Sequence, residues 1–137
     1  MTPEKFIIAK ASEAIQALYG VEVPEAQLQV QVTRKEFEGD YTLVVFPLLK
    51  MSKTTPENTG NAIGEWLKAN VAEVAAYNTV KGFLNISFSE VYWNNVFAEI
   101  AAAEDFGQLE PTGRTIMVEY SSPNTNKPLH LGHIRNN

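Results

Sequence analysis

The chain has 137 residues, 45% of them hydrophobic, and its formal net charge is -5. That length fits one domain of ordinary size with room for part of another, and the hydrophobic content excludes a disordered tail. Cysteine is absent, which excludes disulfide frameworks and thiolate metal sites. The negative charge argues against DNA or RNA held by a broad positive field, so any RNA contact must be local.

The N-terminal segment lacks the basic flank and unbroken apolar run of a signal peptide. No stretch approaches the roughly 20 apolar residues of a membrane span. We therefore expect a cytoplasmic protein that does not bind membranes.

The first third of the chain predicts a helix followed by a hairpin. Thr2 is the expected N-cap and Gly20 the expected stop. The apolar stripe expected to face the core comprises Ile7, Ala11, Ala14, Ile15 and Leu18. Apolar and polar residues then alternate over 28–33 and 41–45 around a turn at 38–40, which predicts two antiparallel strands.

The middle of the chain repeats this pattern. A second helix should start at Thr55 and end near Asn78, with an inward side of Ile63, Trp66, Leu67, Val71 and Val74. Strands are expected at 77–80 and 83–88. Ser89 should cap a third helix whose inward residues are Trp93, Val96, Phe97 and Ile100. The order of elements predicts a two-layer α+β domain with an antiparallel sheet.

A domain boundary is expected in the turn-rich segment after this helix. We divide the chain into a first domain at 1–105, a linker at 106–114 and the start of a second domain at 115–137. The compact apolar run at 115–120 predicts a strand buried on both faces, as in a parallel sheet. The residues that follow cannot supply its neighbours, so the second domain is expected to be cut short.

Both histidines of the chain lie in its last stretch. His130 and His133 are three residues apart, so in a helix they project from one face of the first turn. Gly132 between them would allow a flat ligand to approach closely. Backbone N–H groups at such a helix start bind phosphate, and imidazoles beside an anion can stabilise the charge of a phosphoryl or nucleotidyl transfer.

Residues 130–133, His-Leu-Gly-His, match the His-x-Gly-His signature of class I aminoacyl-tRNA synthetases. The wider segment VEYSSPNTNKPLHLGHIRN resembles the arginyl-tRNA synthetases in particular. The segments GDY at 39–41 and GFLNISF at 82–88 resemble the N-terminal additional domain of that family. The resemblance implies an additional domain followed by the first strand and helix start of a Rossmann fold.

In that family the first signature binds ATP. By resemblance, His130 and His133 would contact the ATP phosphates and stabilise the transition state of arginyl-adenylate formation. Gly132 would belong to the same ATP site, and Lys127 would assist from the loop. The full enzyme would use ATP with Mg2+, and we expect no metal site and no tightly bound cofactor in this chain.

The resemblance also implies the arginine site. Glu119, Ser122 and Asn124 match positions that hold the arginine substrate, and a carboxylate such as Glu119 pairs strongly with a guanidinium. Asn126 departs from the family, which more often has a small apolar residue there. The parent enzyme would join arginine to tRNA(Arg), whereas this N-terminal piece is expected to be inactive because it lacks most of the nucleotide pocket.

Phe83 and Asn85 match positions that touch a base of the tRNA D-loop in the family. The residue pattern agrees, because Leu84, Ile86 and Phe88 form the core-facing set and leave Phe83 and Asn85 on the other face. An exposed Phe can stack on an unpaired base while an amide hydrogen-bonds its edge. The alternative for Phe83 is a packing residue at an edge.

Other interpretations remain open. The chain could be a free-standing RNA-binding or adaptor module without activity. The two histidines could instead form a helix cap, a metal pair or the site of a metal-dependent hydrolase, although zinc prefers three or four ligands. Tyr41 of the GDY segment is expected to be structural.

Residues 50–53, Lys-Met-Ser-Lys, resemble the second ATP-binding signature of class I synthetases. In that family this loop follows the histidine signature, whereas here it precedes it. We therefore interpret the segment as a solvated connector, whose lysines could contact the tRNA backbone.

Overall fold

The computed structural model describes residues 2–118 and 126–136. By its internal contacts the chain divides into two units, unit 1 (Met1–Glu104) and unit 2 (Asp105–Asn137).

Unit 1 combines helices with one antiparallel sheet. Its α-helices are α1 (Pro3–Tyr19), α2 (Leu49–Ser52), α3 (Pro56–Asn70) and α4 (Glu90–Ala102). Its strands are β1 (Val30–Val32), β2 (Tyr41–Val44), β3 (Val74–Val80) and β4 (Phe83–Phe88), which lie in the order β1-β2-β4-β3. The predicted α+β class, the antiparallel sheet and the hairpin of β1 with β2 are confirmed, and β3 and β4 form a second hairpin; short 3-10 turns occur at Glu25–Gln27 and Phe46–Leu48.

The ends of α1 follow from its capping residues. The Thr2 side chain accepts a hydrogen bond from the backbone N–H of Lys5, and Gly20 adopts the left-handed conformation that ends the helix. Four of the five predicted inward residues are buried, which confirms the inward side of α1. The prediction for Leu18 was wrong, because its side chain is 40% exposed. Periodicity identifies the side of a helix that faces the core but not how far along the helix the core extends.

Helix α3 is shorter than predicted. It ends at Asn70 rather than near Asn78, because Val71 has extended backbone angles and Val74 already begins β3. Both valines are buried, as expected. Buried valines fit the end of a helix and the start of a strand equally well, and valine itself favours strands.

Helix α4 presents a different face to the core from the one predicted. Its buried residue is Tyr92, which stacks on Phe88 with ring centroids 3.9 Å apart. Val96 packs partly against the core as predicted, whereas Trp93, Phe97 and Ile100 are exposed, contrary to the prediction. Ser89 occupies the cap position, but its hydroxyl donates to the carbonyl of Ala72 instead of capping the helix.

The core of unit 1 lies between the sheet and the helices α1 and α3. Its fully buried strand residues are Leu43, Leu84 and Ile86, and Ile63 and Leu67 come from α3. Helix α3 comes close to β3 at two glycines. A Cβ atom at Gly60 would lie 2.5 Å from Cγ2 of Thr79, and one at Gly64 would overlap the ring of Tyr77.

Unit 2 contains one helix, α5 (Leu131–Asn136), within its described residues. The strand predicted at 115–120 is wrong for residues 115–118, which form no regular secondary structure and expose Ile116, Met117 and Val118. A strand needs a partner for its backbone hydrogen bonds, and the described part of unit 2 supplies none. The Rossmann fold therefore stays an expectation.

In the part of the chain that is described, no helix has the length and apolar character needed to cross a membrane.

Candidate functional site

The segment Gly39–Asp40–Tyr41 holds the β1–β2 loop against β4. Gly39 has a φ of 127°, and a Cβ atom there would lie 3.0 Å from the Cβ of Asn85. Asp40 Oδ2 accepts a 2.7 Å hydrogen bond from the backbone N–H of Phe88. The ring of Tyr41 meets that of Phe88 edge-on at 6.0 Å, which confirms its structural role. A left-handed glycine and two side chains thus fix this loop.

The face of the sheet opposite the core carries a row of polar residues. Strand pairing places Gln31 opposite Thr42, Thr42 opposite Asn85, and Asn85 opposite Asn78. Because side chains alternate along a strand, this row points away from Leu43 and Leu84, which lie in the core.

A pocket of 220 Å³ opens on this polar face. Its lining comes from all four strands, the β1–β2 loop and the β3–β4 turn, and comprises Gln31, Arg34, Phe37, Thr42, Val80, Lys81, Phe83 and Asn85. The structure thus brings Phe83 and Asn85 together on the predicted face. Phe83 is 37% exposed and meets the ring of Phe46 edge-on at 5.7 Å.

Asn85 is only 2% exposed, although it lies on the face away from the core. Its Oδ1 accepts a 2.7 Å hydrogen bond from the hydroxyl of Thr42, which contacts the hydroxyl of Thr33 at 3.0 Å. Its Nδ2 is buried and has no hydrogen-bond partner within residues 2–118 and 126–136. Strand alternation predicts the face of Asn85 but not its burial, since the covering loop comes from another part of the chain.

Two basic residues line the same pocket, and neither was singled out from the sequence. Arg34 comes from the β1–β2 loop, and Lys81 comes from the two-residue turn between β3 and β4. Lys81 and Gly82 have φ values of 49° and 81°, as a tight hairpin turn requires. The Lys-Gly pair between two alternating segments was the available signal for this turn.

The two histidines form a reciprocal cap at the start of α5. The backbone N–H of Gly132 donates to Nδ1 of His130 over 3.1 Å, and the backbone N–H of His130 donates to Nδ1 of His133 over 3.0 Å. The ring centroids lie 4.0 Å apart. A neutral imidazole that accepts at Nδ1 carries its proton on Nε2, so both rings keep one donor for a ligand.

Comparison with known proteins gives a consistent result. The arginine–tRNA ligase of Bacteroides thetaiotaomicron is 52% identical over 139 residues, which cover 100% of this chain and 23% of that protein. The enzyme of Porphyromonas gingivalis is 53% identical over 129 residues, which cover 93% of this chain and 22% of that protein. The chain is homologous to one region of the arginine–tRNA ligases. No family model matches it.

A solved structure supports the same relationship. Thermus thermophilus arginyl-tRNA synthetase matches with a TM-score of 0.58 and 25% identity, over 98% of this chain and 21% of that chain. The chain therefore spans roughly a quarter of the length of the ligases that it matches.

The remaining site residues expected from the ligase resemblance are only partly described. Lys127 is exposed in the loop before α5. Glu119, Ser122 and Asn124, the expected arginine-binding residues, lie outside the described residues. Within 2–118 and 126–136, no group of three or more His, Cys, Asp or Glu side chains could hold a metal ion.

The segment 50–53 is partly helical, whereas the sequence predicted a solvated connector. Residues 50–52 lie in the single turn of α2, and Lys53 follows as its C-cap in a left-handed conformation with a φ of 52°. The hydroxyls of Ser52 and Thr59 hydrogen-bond at 2.7 Å, which ties this turn to α3. Lys50 and Lys53 remain exposed, as the interpretation required.

Proposed function

We propose that this chain is the tRNA-contacting and first catalytic region of an arginine–tRNA ligase. Unit 1 contacts tRNA(Arg) and unit 2 contributes to the site that activates arginine with ATP. The observation that carries the proposal is the homology to these ligases over the whole chain. The proposed location is the cytoplasm, where tRNA is charged for translation.

The pocket on the sheet is the proposed contact for a base of the tRNA D-loop. Phe83 offers an exposed ring on which an unpaired base can stack, and Asn85 offers an amide for the base edge. Arg34 and Lys81 supply positive charge where phosphates would pass. A local contact of this kind is compatible with a net charge of -5.

The histidine cap is the proposed phosphate contact. His130 and His133 each keep an Nε2–H donor, and Gly132 and Lys127 complete the part of the ATP site that this chain supplies. Glu119, Ser122 and Asn124 are the proposed arginine ligands. ATP would enter as its Mg2+ complex. Since Mg2+ favours phosphate oxygens and water, it needs no group of protein ligands here, and we assign it none.

The base contact is tested by Phe83→Ala in binding assays with transcribed tRNA(Arg). Loss of one base-stacking ring should weaken binding roughly tenfold, in line with about 1–3 kcal/mol for such a contact. Phe97→Ala is the matched control, because Phe97 is also an exposed Phe but lies on α4. Equal affinity of the wild type and both variants would contradict the proposed contact.

A further inference from the structure

The carboxamide of Asn85 is hydrogen-bonded within the protein only at its oxygen, among the described residues. Thr42 donates its hydroxyl hydrogen to Oδ1 of Asn85. A hydroxyl has a single hydrogen, so Thr33 must be the donor in the 3.0 Å contact between the two threonines. Thr33, Thr42 and Asn85 therefore form a directed chain of hydrogen bonds that ends at the carbonyl end of the amide.

The other end of this amide is a donor without an acceptor. Nδ2 of Asn85 is buried and unpartnered in the described part of the chain, and Asn85 lines the pocket. Buried polar groups in proteins are nearly always hydrogen-bonded, so each exception needs an explanation. A ligand that brings an acceptor into the pocket would satisfy this group.

We propose that Thr42, supported by Thr33, holds the Asn85 carboxamide with its NH2 group toward the pocket. The pocket then selects a base through a hydrogen-bond acceptor on the base edge. Thr42 acts as a positioning residue, since it sets which end of the amide the base meets. This inference rests on the proposed D-loop contact. It adds that the protein donates and the base accepts in this contact, and that Thr42 determines this direction.

The reversed orientation of the Asn85 amide predicts the opposite base preference. If the amide were reversed, Nδ2 would donate to Thr42, and either threonine could then donate to the other. The carbonyl of Asn85 would then face the pocket, and the pocket would select a donor on the base. Removal of single acceptors or donors from the base therefore distinguishes the two arrangements.

The test uses tRNA(Arg) assembled with adenosine or its analogues at the D-loop position whose substitution most weakens wild-type binding. Nebularine lacks the amino donor of adenosine, and 1-, 3- and 7-deazaadenosine each lack one ring acceptor. Nebularine should bind the wild-type protein as adenosine does. One deaza analogue should bind roughly tenfold more weakly, because it leaves a buried donor unpaired.

The positioning role is tested with Thr42→Val, which keeps the side-chain shape and removes the hydroxyl. The loss of affinity that this deaza analogue causes relative to adenosine should fall below roughly threefold, since the Asn85 amide can then present either end to the base. Thr42→Ser should restore the penalty, because it restores the hydroxyl. Thr59→Val is the matched control, since Thr59 has a buried hydroxyl on α3 and should leave the penalty unchanged.

Two results would overturn the inference. One is weaker binding with nebularine and unchanged binding with every deaza analogue. This result would show that the carbonyl of Asn85 faces the pocket. The other is a full deaza penalty in a folded Thr42→Val protein, with Thr33→Val as a second variant if Thr42→Val does not fold. If the wild type binds every substituted tRNA equally and Phe83→Ala has no effect, the base contact itself fails, and the inference fails with it.

Discussion

The backbone of Lys81 adopts a left-handed conformation that is unfavourable for lysine. Its φ of 49° is in the left-handed region, which costs a residue with a Cβ roughly 1 kcal/mol and which Asn adopts more easily. Lys81 also lines the pocket, where a cation would meet tRNA phosphate. A strained residue at the proposed tRNA contact is typical of a position kept for function.

Lys81→Asn should therefore have opposite effects on stability and binding. The free energy of unfolding should rise by roughly 0.5–1 kcal/mol, because the turn becomes less strained. The affinity for tRNA(Arg) should fall and depend less on salt, because one phosphate contact is lost. Chemical denaturation and binding at several salt concentrations measure the two effects.

Lys53→Asn is the matched control, since Lys53 is also a lysine in the left-handed region, with a φ of 52°, but caps α2. It should give the gain in stability without the loss of binding. A loss of binding equal to that of Lys81→Asn would instead assign a tRNA contact to α2.

Tyr92 has a buried hydroxyl without a hydrogen-bond partner among residues 2–118 and 126–136. Burial raises its pKa above 10.0, and the charges of Tyr41, Glu4 and Glu99 raise it further. Because the pKa of Tyr92 is higher in the folded state, its contribution to the free energy of unfolding is fully present below pH 10. That contribution is lost as the pH rises through the folded-state pKa. The same sign applies to Tyr19, Tyr41 and Tyr77, whose pKa values are also raised.

Tyr92→Phe should keep the ring stack on Phe88 and remove the unpaired hydroxyl. At pH 7 we expect a rise in unfolding free energy of roughly 1 kcal/mol. The loss of stability above pH 10 should become shallower, because one of the titrating groups is gone. Denaturation curves measured from pH 7 to above pH 10 check both effects. A less stable variant with an unchanged alkaline slope would show that the hydroxyl is satisfied.

At the scale of elements, the contact between α3 and β3 depends on a helical glycine. Replacement of a helical Gly by Ala normally stabilises a protein by roughly 0.5–1 kcal/mol. At Gly64, however, the added methyl group would overlap the Tyr77 ring near its attachment point. The Tyr77 hydroxyl donates to Glu65 Oε2 over 2.9 Å, which restrains the ring further.

Gly64→Ala should consequently destabilise unit 1 by roughly 1–3 kcal/mol, as overpacking does. Thermal or chemical unfolding measures the change. Asn61→Ala is the control, because Asn61 lies on the exposed side of the same helix, and it should be neutral or slightly stabilising. A Gly64→Ala protein as stable as the wild type would show that α3 can move away from β3.

The elements that the sequence predicted well have local causes. Thr2 and Gly20 determine the ends of α1, and strand alternation determines which residues of β4 face the core. The errors involve distant contacts. The inward face of α4 could not be chosen from the sequence, since apolar residues surround that helix and its buried side depends on the stack of Tyr92 on the ring of Phe88. The burial of Asn85 depends on the β1–β2 loop, and Thr42 becomes its partner only through strand pairing.

At the scale of the whole molecule, the two proposed activities lie in different units. The base pocket belongs to unit 1 and the histidine cap to unit 2. We therefore expect substitutions in the cap to change adenylate formation without changing tRNA affinity. The difficulty is that His130 and His133 also cap α5, so alanine at either position would remove the cap and the imidazole together.

The double variant His130→Asn with His133→Gln separates these roles. Asn is a favourable N-cap, and Gln at the third helical position can complete the reciprocal cap. The cap of α5 should therefore survive through the amide oxygens, while the amide N–H groups of Asn and Gln replace the two imidazole Nε2–H donors at different positions. In the ligase proposed to contain this region, arginyl-adenylate formation should fall by roughly 10²–10³-fold, the usual effect of removing one transition-state donor, or by more. Pyrophosphate exchange measures this step, and tRNA(Arg) affinity should stay at the wild-type value. Unchanged exchange in this variant would mean that the two histidines only cap a helix.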